Sequence, residues 1–237
     1  MDVVIEQIKK ALRAKAKPLS PKKLEWARRI VGQDFNPLGL KLAEVWKISR
    51  DVYKQNEDKV NYNQALKISE ELLQCQYQEE KFAGVGFINN FRKEFDENTL
   101  QVFRSWIDKY CHNWAFCDSF CINVIGPFLG KNLKLVFKVE PWAKDKNLWV
   151  QRASLVAVLK IARLLKPNYI FKRATPFIQT KEPYLQKAVG WLLKESAKWH
   201  QGAVVKFLLK WKHSTPRLIL RYACEKLPED DKKEILK

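Results

Sequence analysis

Apolar residues recur along the chain at the spacing of a helix face, in short segments separated by breaks that contain proline. Pro21, Pro183 and Pro216 each stand near the start of such a segment, where the missing N–H of proline costs no helical hydrogen bond. Asn36-Pro37 and Pro167 mark further breaks. The chain has only 8 glycines and no run of alternating β-branched residues that would predict a strand. The pattern predicts an all-α chain of about fourteen short helices, arranged as roughly seven pairs.

A second pattern recurs at a spacing of 35 residues, in which an aromatic residue stands four positions before a small or acidic one. The pattern consists of Trp114 with Asp118, Trp149 with Ala153, and Tyr184 with Ala188, and Ala83 stands one step earlier. Periods of this size are typical of stacked helix pairs, each of which buries its apolar face against its neighbours. The sequence therefore predicts an α-solenoid, a single domain over residues 1–237, curved so that its concave face forms a basic cleft.

Position 118 departs from this repeat, because it holds a carboxylate where the flanking repeats hold alanine. Trp114 and Asp118 are four residues apart and share one helix face. Equivalent positions of successive repeats line up on the concave face. We therefore expect Asp118 to lie beside Arg152 and Lys187, which would keep its carboxyl ionised. An indole and a carboxylate in a basic groove suit a substrate that is cationic or becomes so.

The charge balance indicates a polyanionic partner. Lys and Arg number 44 against 26 Asp and Glu, which gives a formal charge of +18 and a pI near 9.7. Nucleic acid is the first candidate, and an anionic membrane surface could use the same charge. No apolar run is long enough to span a bilayer, and the first seventeen residues read as an amphipathic helix with Asp2 and Glu6. We expect neither a membrane span nor a signal peptide.

The cysteine pattern favours reduced thiols and no metal. The chain has 5 cysteines, an odd number, mostly in apolar helical contexts, which predicts a cytoplasmic protein. Cys111, His112, Cys117 and Cys121 form the one cluster that could suggest zinc or an iron–sulfur centre, but their spacing contains no compact Cys-x2-Cys pair. The chain also has neither a Gly-rich phosphate loop nor an order of residues that suggests a nucleophilic triad.

Three segments carry a family pattern: NWAFCDSF at 113–120, NLWVQRAS at 147–154 and YLQKAVGWLLKESAK at 184–198. They resemble the AlkD family, the HEAT-like-repeat DNA glycosylases of alkylation repair. The resemblance covers most of the chain and is strongest over residues 110–225. It implies a monomer of HEAT-like repeats, without a cofactor, that binds duplex DNA in its concave cleft. The implied activity belongs to base-excision repair. The enzyme would hydrolyse the N-glycosidic bond of N3- or N7-alkylated purines, and it would bind the alkylated base without enclosing it in a pocket.

The resemblance also implies roles for individual residues. The essential aspartate of the family falls on Asp118, and the tryptophan four positions before it falls on Trp114. The arginine of the family's W-x-Q-R segment falls on Arg152, and its second cleft tryptophan falls on Trp191. A basic residue three positions later falls on Lys194. These assignments make Asp118, Trp114, Trp191 and Arg152 the expected catalytic group.

The sequence also departs from the family pattern. About two extra residues follow Asp118, which predicts a bulge or a reset in the helix after it. Arg29 and Lys41 stand where the family has a tyrosine and a glutamine at the cleft edge. The expected DNA-binding residues are Lys194, Lys187, Lys41, Arg29, Arg217 and Arg221.

Other interpretations of the same residues stay open at the level of the sequence. Trp114 and Trp191 could be core residues, and Arg152 could bridge to an acidic neighbour of another repeat. The whole chain could be a solenoid that binds DNA or RNA without catalysis. It could also be a scaffold that grips an acidic protein partner. Salt dependence separates these two, because binding through several phosphates weakens steeply as salt rises.

Overall fold

The computed structural model describes residues Met1–Lys237 and contains thirteen α-helices and no strand. Prolines stand where helices begin: α2, α10 and α11 have proline as their first residue, and α12 begins directly after Pro216. The all-α fold class is confirmed. The helices are α1 Asp2–Ala14, α2 Pro21–Val31, α3 Leu42–Asn56, α4 Tyr62–Leu73, α5 Gln78–Ile88, α6 Glu97–Tyr110, α7 Trp114–Phe120, α8 Gly126–Lys131, α9 Leu148–Val156, α10 Pro167–Ala174, α11 Pro183–Trp211, α12 Arg217–Cys224 and α13 Glu229–Leu236.

Six shorter helical segments complete the chain. A π turn covers Cys121–Ile125. The other five are 3₁₀ turns at Asn89–Phe91, Leu133–Val139, Pro141–Lys144, Leu159–Leu164 and Thr175–Phe177. No helix has both the length and the apolar content that crossing a membrane would require.

The chain divides into two compact units, Met1–Phe120 and Cys121–Lys237. The single repeat domain over residues 1–237 stays a prediction beside this division. The first unit contains α1 to α7, and the second contains the π turn and α8 to α13.

In the first unit, α5 is the central helix and packs against α1, α3, α4 and α7. Small residues allow this close approach. A Cβ added at Gly84 would lie 2.8 Å from the Ser69 carbonyl oxygen of α4, and one added at Gly86 would lie 3.1 Å from Ser49 Oγ of α3. The buried carboxylate of Glu79 in the first turn of α5 accepts hydrogen bonds from the backbone N–H groups of residues 38, 39 and 40. The connection before α3 is thereby fixed to α5.

In the second unit, α11 is the central helix and packs against α9, α10, α12 and α13. Its crossing with α12 is very close, since a Cβ added at Gly190 would lie 2.4 Å from Tyr222 Cβ. Backbone dihedrals at His200 (φ −138°, ψ 40°) interrupt α11. His200 Nε2 lies 3.0 Å from the carbonyl oxygen of Leu165, the residue that follows the 3₁₀ turn Leu159–Leu164, and this contact holds the interrupted part of α11 against the end of that turn.

The register of the repeat is a buried position in both units. Ala83, Ala153 and Ala188 are fully buried, and Asp118 is only 6% exposed. The alanines at these positions have the size that close helix packing requires. A carboxylate in the same register is therefore held inside the protein.

Candidate active site

The first part of the candidate site is α7, a two-turn helix that contains Trp114 and Asp118. Asn113 precedes it, and the Asn113 side-chain oxygen accepts a hydrogen bond from the Phe116 N–H at 2.9 Å. This is the bond of a helix N-cap, which satisfies one of the donors that the first turn leaves open. The sequence therefore starts a helix at Trp114 and places Asp118 in its second turn.

Trp114 is half-buried, and its indole N–H donates a hydrogen bond of 2.9 Å to the Ile30 carbonyl oxygen of α2. This bond fixes the position of the ring against the C-terminal turn of α2, which also contains Arg29. The interpretation of Trp114 as a pure core residue does not fit this partly exposed, hydrogen-bonded ring.

Asp118 is buried in α7, a helix whose phenylalanine side chains pack within the first unit. Phe116 and Phe120 of the same helix lie with ring centroids 6.0 Å apart, and Phe120 also contacts Phe103 and Trp106 of α6. An ionised carboxylate in such surroundings is stable only when it is paired or hydrogen-bonded. Burial of Asp118 therefore sets it apart from the solvated acidic residues that most helices expose.

The chain leaves α7 through the π turn Cys121–Ile125. A π turn accommodates one more residue than an α turn, and such turns often occur at functional sites. The helical disturbance predicted after Asp118 is confirmed.

The second part of the candidate site lies in the second unit, around α9 and α11. Asn147 caps α9 by accepting from the Trp149 N–H at 2.8 Å. Arg152 is only 4% exposed, and its guanidinium donates to the Tyr184 carbonyl oxygen in the first turn of α11. The rings of Trp149 and Tyr184 are in contact, with centroids 5.2 Å apart. Residues one repeat apart therefore touch, as the 35-residue period predicts.

Lys187, Trp191 and Lys194 follow one another on α11 at spacings of four and three, so they share one face. Lys187 is exposed and Trp191 is half-buried. The Lys194 side chain is 14% exposed and forms an ion pair of 2.8 Å with Glu225. Its ammonium also lies 6.0 Å from the centre of the Tyr222 ring. A phosphate that binds Lys194 would have to compete with Glu225.

The remaining predicted DNA-binding residues are exposed. Arg29 lies on α2, Lys41 directly precedes α3, and Arg217 and Arg221 are four residues apart on α12. Arg217 donates a hydrogen bond to the Leu236 carbonyl oxygen. Within the first unit, the structure thus brings Trp114 next to the end of α2, and within the second it brings Arg152 to the helix that holds Trp191. Proximity of Asp118 to Arg152 and Lys187 stays a prediction.

The cysteines near α7 are buried thiols. Cys111, Cys117 and Cys121 are buried, and the Cys111 thiol donates to the Asn113 carbonyl oxygen at 3.4 Å. Burial raises the pKa of Cys111 well above its usual value. No three His, Cys, Asp or Glu side chains are grouped so that they could hold a metal ion.

Sequence reasoning missed one polar feature of the first unit, a cavity of about 580 Å³ beside Asn113. Gln78 and Asn113 lie on its wall and are hydrogen-bonded to each other at 3.2 Å. They are 35 residues apart, so the repeat period itself was the signal that could have found this pair.

A known protein has a similar arrangement of helices. The chain is similar to a solved structure described as a predicted DNA alkylation repair enzyme from Enterococcus faecalis, with 16% identity and a TM-score of 0.79 over 89% of this chain and 97% of that one. At this identity the likeness shows a shared fold. None of the curated proteins compared with the chain matches it. A family model described as DNA alkylation repair enzyme matches residues 8–227. Because that match spans nearly the whole sequence, the chain belongs to the DNA alkylation repair enzyme family.

Proposed function

We propose that the protein is a DNA glycosylase that hydrolyses the N-glycosidic bond of N3- or N7-alkylated purines in duplex DNA. One observation supports this above all: Asp118 is a buried carboxylate, one helical turn after the half-buried Trp114, in a chain of the DNA alkylation repair family. Neither residue alone would favour catalysis over packing. The pair in this family does.

The departure of the leaving group needs little assistance from the protein. A purine alkylated at N3 or N7 already has a positive charge, and it leaves as a neutral base when the bond to C1′ breaks. No general acid is therefore needed. Positive charge develops instead on the deoxyribose, in an oxocarbenium-like transition state similar to that of glycoside hydrolysis.

Asp118 is the group that we assign to that charge. A fixed carboxylate in a site of low dielectric stabilises a developing cation more strongly than water does. The same carboxylate can orient the attacking water and take up its proton as the new C1′–O bond forms. The products are the free alkylpurine and an abasic site.

We assign the remaining residues to binding and orientation. Arg152 would hold the phosphate next to the lesion through a charge-assisted hydrogen bond. The rings of Trp114 and Trp191 would contact the deoxyribose and attract its growing charge through their π faces. Trp114 suits this role because its indole N–H is bonded to the Ile30 carbonyl, which fixes the ring. Lys187, Lys194, Lys41, Arg29, Arg217 and Arg221 would contact the DNA backbone.

The test is the release of 7-methylguanine from methylated duplex DNA by Asp118→Asn and by the parent protein. Loss of the charge should lower the excision rate by about 10²–10³, while the affinity for unmodified duplex stays within about twofold. Asp51→Asn is the matched control, because Asp51 is an exposed carboxylate of α3 paired with Lys47. Equal rates for Asp118→Asn and the parent would contradict the assigned role.

The formal charge of +18 favours one other function, binding of DNA without catalysis. A parent protein that binds duplex DNA with a steep salt dependence and releases no methylpurine would have that function. A protein with no measurable affinity for DNA would instead fit a scaffold for an acidic protein partner.

A further inference from the structure

The cavity of about 580 Å³ in the first unit opens where three connections between helices meet. Residues of the connections α2–α3, α4–α5 and α6–α7 form its wall, together with the first turns of α5 and α7. A single ordered water occupies roughly 30 Å³, so the cavity is much larger than a water site. Its wall has mostly amide and charged side chains, which makes it unsuited to an apolar ligand.

Two amides on this wall have a fixed orientation. The Phe116 N–H can only donate, so the Asn113 atom that it contacts at 2.9 Å is the side-chain oxygen. The Asn113 NH₂ group therefore donates to the Gln78 oxygen at 3.2 Å. It follows that the Gln78 NH₂ group is left as a donor, and it has no hydrogen-bond partner although Gln78 is only 5% exposed. A buried donor without a partner destabilises the fold, and an acceptor in the cavity would offset that cost.

Two cations face the same space. The half-buried Lys81 ammonium has no ion pair and one long hydrogen bond, of 3.4 Å, to the Tyr110 carbonyl oxygen. Burial lowers the pKa of Lys81, and burial together with the Lys81 charge lowers the pKa of His112. Arg28 is held at the cavity by the bond from its Nε to the Phe35 carbonyl oxygen at 3.1 Å. Against these cations the wall has one carboxylate, Asp34.

A ligand that satisfies these groups must present several acceptor oxygens and negative charge. A metal cation is the opposite of what an amide donor, an ammonium and a guanidinium require. Phosphate oxygens accept from all three, and Arg and Lys are the side chains that recognise them.

We propose that this cavity binds a phosphate group. On the function proposed above, that group is a backbone phosphate of the bound DNA strand. Asn113 connects the cavity to the candidate active site, because it lies on the cavity wall and caps α7, the helix of Trp114 and Asp118. A phosphate held here would position the strand against the start of that helix.

The first measurement is the salt dependence of binding to an unmodified duplex. Each phosphate neutralised on duplex DNA adds about 0.9 to the slope of log affinity against log salt. Lys81→Met should therefore make the slope shallower by about 0.9. Lys67→Met is the matched control, since Lys67 is an exposed lysine of α4, and it should leave the slope as in the parent. Equal changes for the two variants would overturn the proposal, because the effect would then be one of net charge.

The second measurement follows the Gln78 side-chain NH₂ resonances of the ¹⁵N-labelled protein while inorganic phosphate or duplex DNA is added. Both ligands should shift these resonances in the parent. Gln78→Glu keeps the oxygen that accepts from Asn113 and replaces the donor by a charge that repels phosphate. This variant should bind duplex DNA more weakly, with a shallower salt slope, and Lys81→Met serves if it fails to fold.

The outcomes separate the possible ligands. Shifts with inorganic phosphate, but no change of the DNA salt slope, would retain the phosphate group and overturn the DNA strand as its source. No shift with either ligand would overturn the site altogether. Neither measurement depends on excision. If Asp118→Asn releases base at the parent rate while Lys81→Met changes the slope, the catalytic assignment fails and the phosphate site stands. The reverse pattern would remove the phosphate site and leave the glycosylase.

Discussion

The two units use the same repeat position in different ways. In the second unit, the aromatic residues Trp149 and Tyr184 pack against each other, and the alanines four residues later are fully buried. In the first unit, Trp114 has no such role: it is bonded through its indole N–H to a backbone carbonyl of α2. Four residues later the alanine is replaced by Asp118, which is also buried. The register therefore holds only small packing residues in the second unit, whereas in the first it holds Ala83 at one step and the buried carboxyl group of Asp118 at the next.

The difference shows what the repeat provides. Stacked helix pairs create a regular series of buried positions, and an alanine at such a position contributes only to packing. A carboxylate at such a position is costly to bury, which makes it a candidate for a role other than packing. The exception is therefore more informative about function than the rule.

The largest expected effect comes from placing a carboxylate in the second unit, at the repeat position equivalent to Asp118. Ala153→Asp would bury a carboxylate at a fully buried site that is built for a methyl group. We expect the free energy of unfolding in urea to fall by about 3–5 kcal/mol, because the new charge has no designed partner. Ala203→Asp, on a partly exposed position of α11, is the control and should cost about 1 kcal/mol or less. Similar losses of unfolding free energy in the two variants would mean that the buried position 153 tolerates a charge as readily as the surface does.

A smaller effect measures the packing that is specific to the second unit. A double-mutant cycle of Trp149→Ala and Tyr184→Ala should give a coupling energy of about 0.5–1.5 kcal/mol for the two rings. The bond from Arg152 reaches the backbone of Tyr184 and stays in place in both variants. The unfolding free energies of the parent, both single variants and the double variant provide the measurement. Additive losses would show that the ring contact contributes nothing of its own.

The smallest effect concerns the hydrogen bond that distinguishes Trp114. Trp114→Phe keeps an aromatic ring and removes the donor to the Ile30 carbonyl oxygen. Because Ile30 is partly exposed and water can replace the donor, the loss of unfolding free energy should be about 0.5–1 kcal/mol. Trp199→Phe, at a tryptophan that is 60% exposed, should leave stability unchanged. If both substitutions are neutral, the indole bond does not anchor α7 to α2.

Much of the fold follows from local signals in the sequence. Proline at or just before the first residue of α2, α10, α11 and α12 predicts where these helices begin, since proline fits the first turn and no later one. The positions that recur at the 35-residue spacing, 83, 118, 153 and 188, share one environment, since all four are buried. The disturbance after Asp118 follows instead from the comparison with the family pattern, relative to which about two extra residues stand there.

Contacts between distant side chains could not be predicted in the same way. The ion pair of Lys194 with Glu225 depends on how closely α12 lies on α11, which Gly190 of α11 permits. The three bonds that Glu79 accepts depend on the path of a connection that has no periodic pattern. Such contacts arise from packing, and a composition or a period does not record them.

The π turn after α7 has a consequence for how this protein can change over generations. A π turn contains more residues than an α-helical turn does. The segment Cys121–Ile125 can therefore accommodate a residue that a regular α-helix would not hold there. The spacing from 118 to 153 is 35 residues, equal to that from 83 to 118 and from 153 to 188, so the segment that contains the π turn has the length of one repeat. An insertion or deletion here can be taken up by a change in the winding of one turn, so it need not displace the helices that follow, although the turn begins only three residues after Asp118.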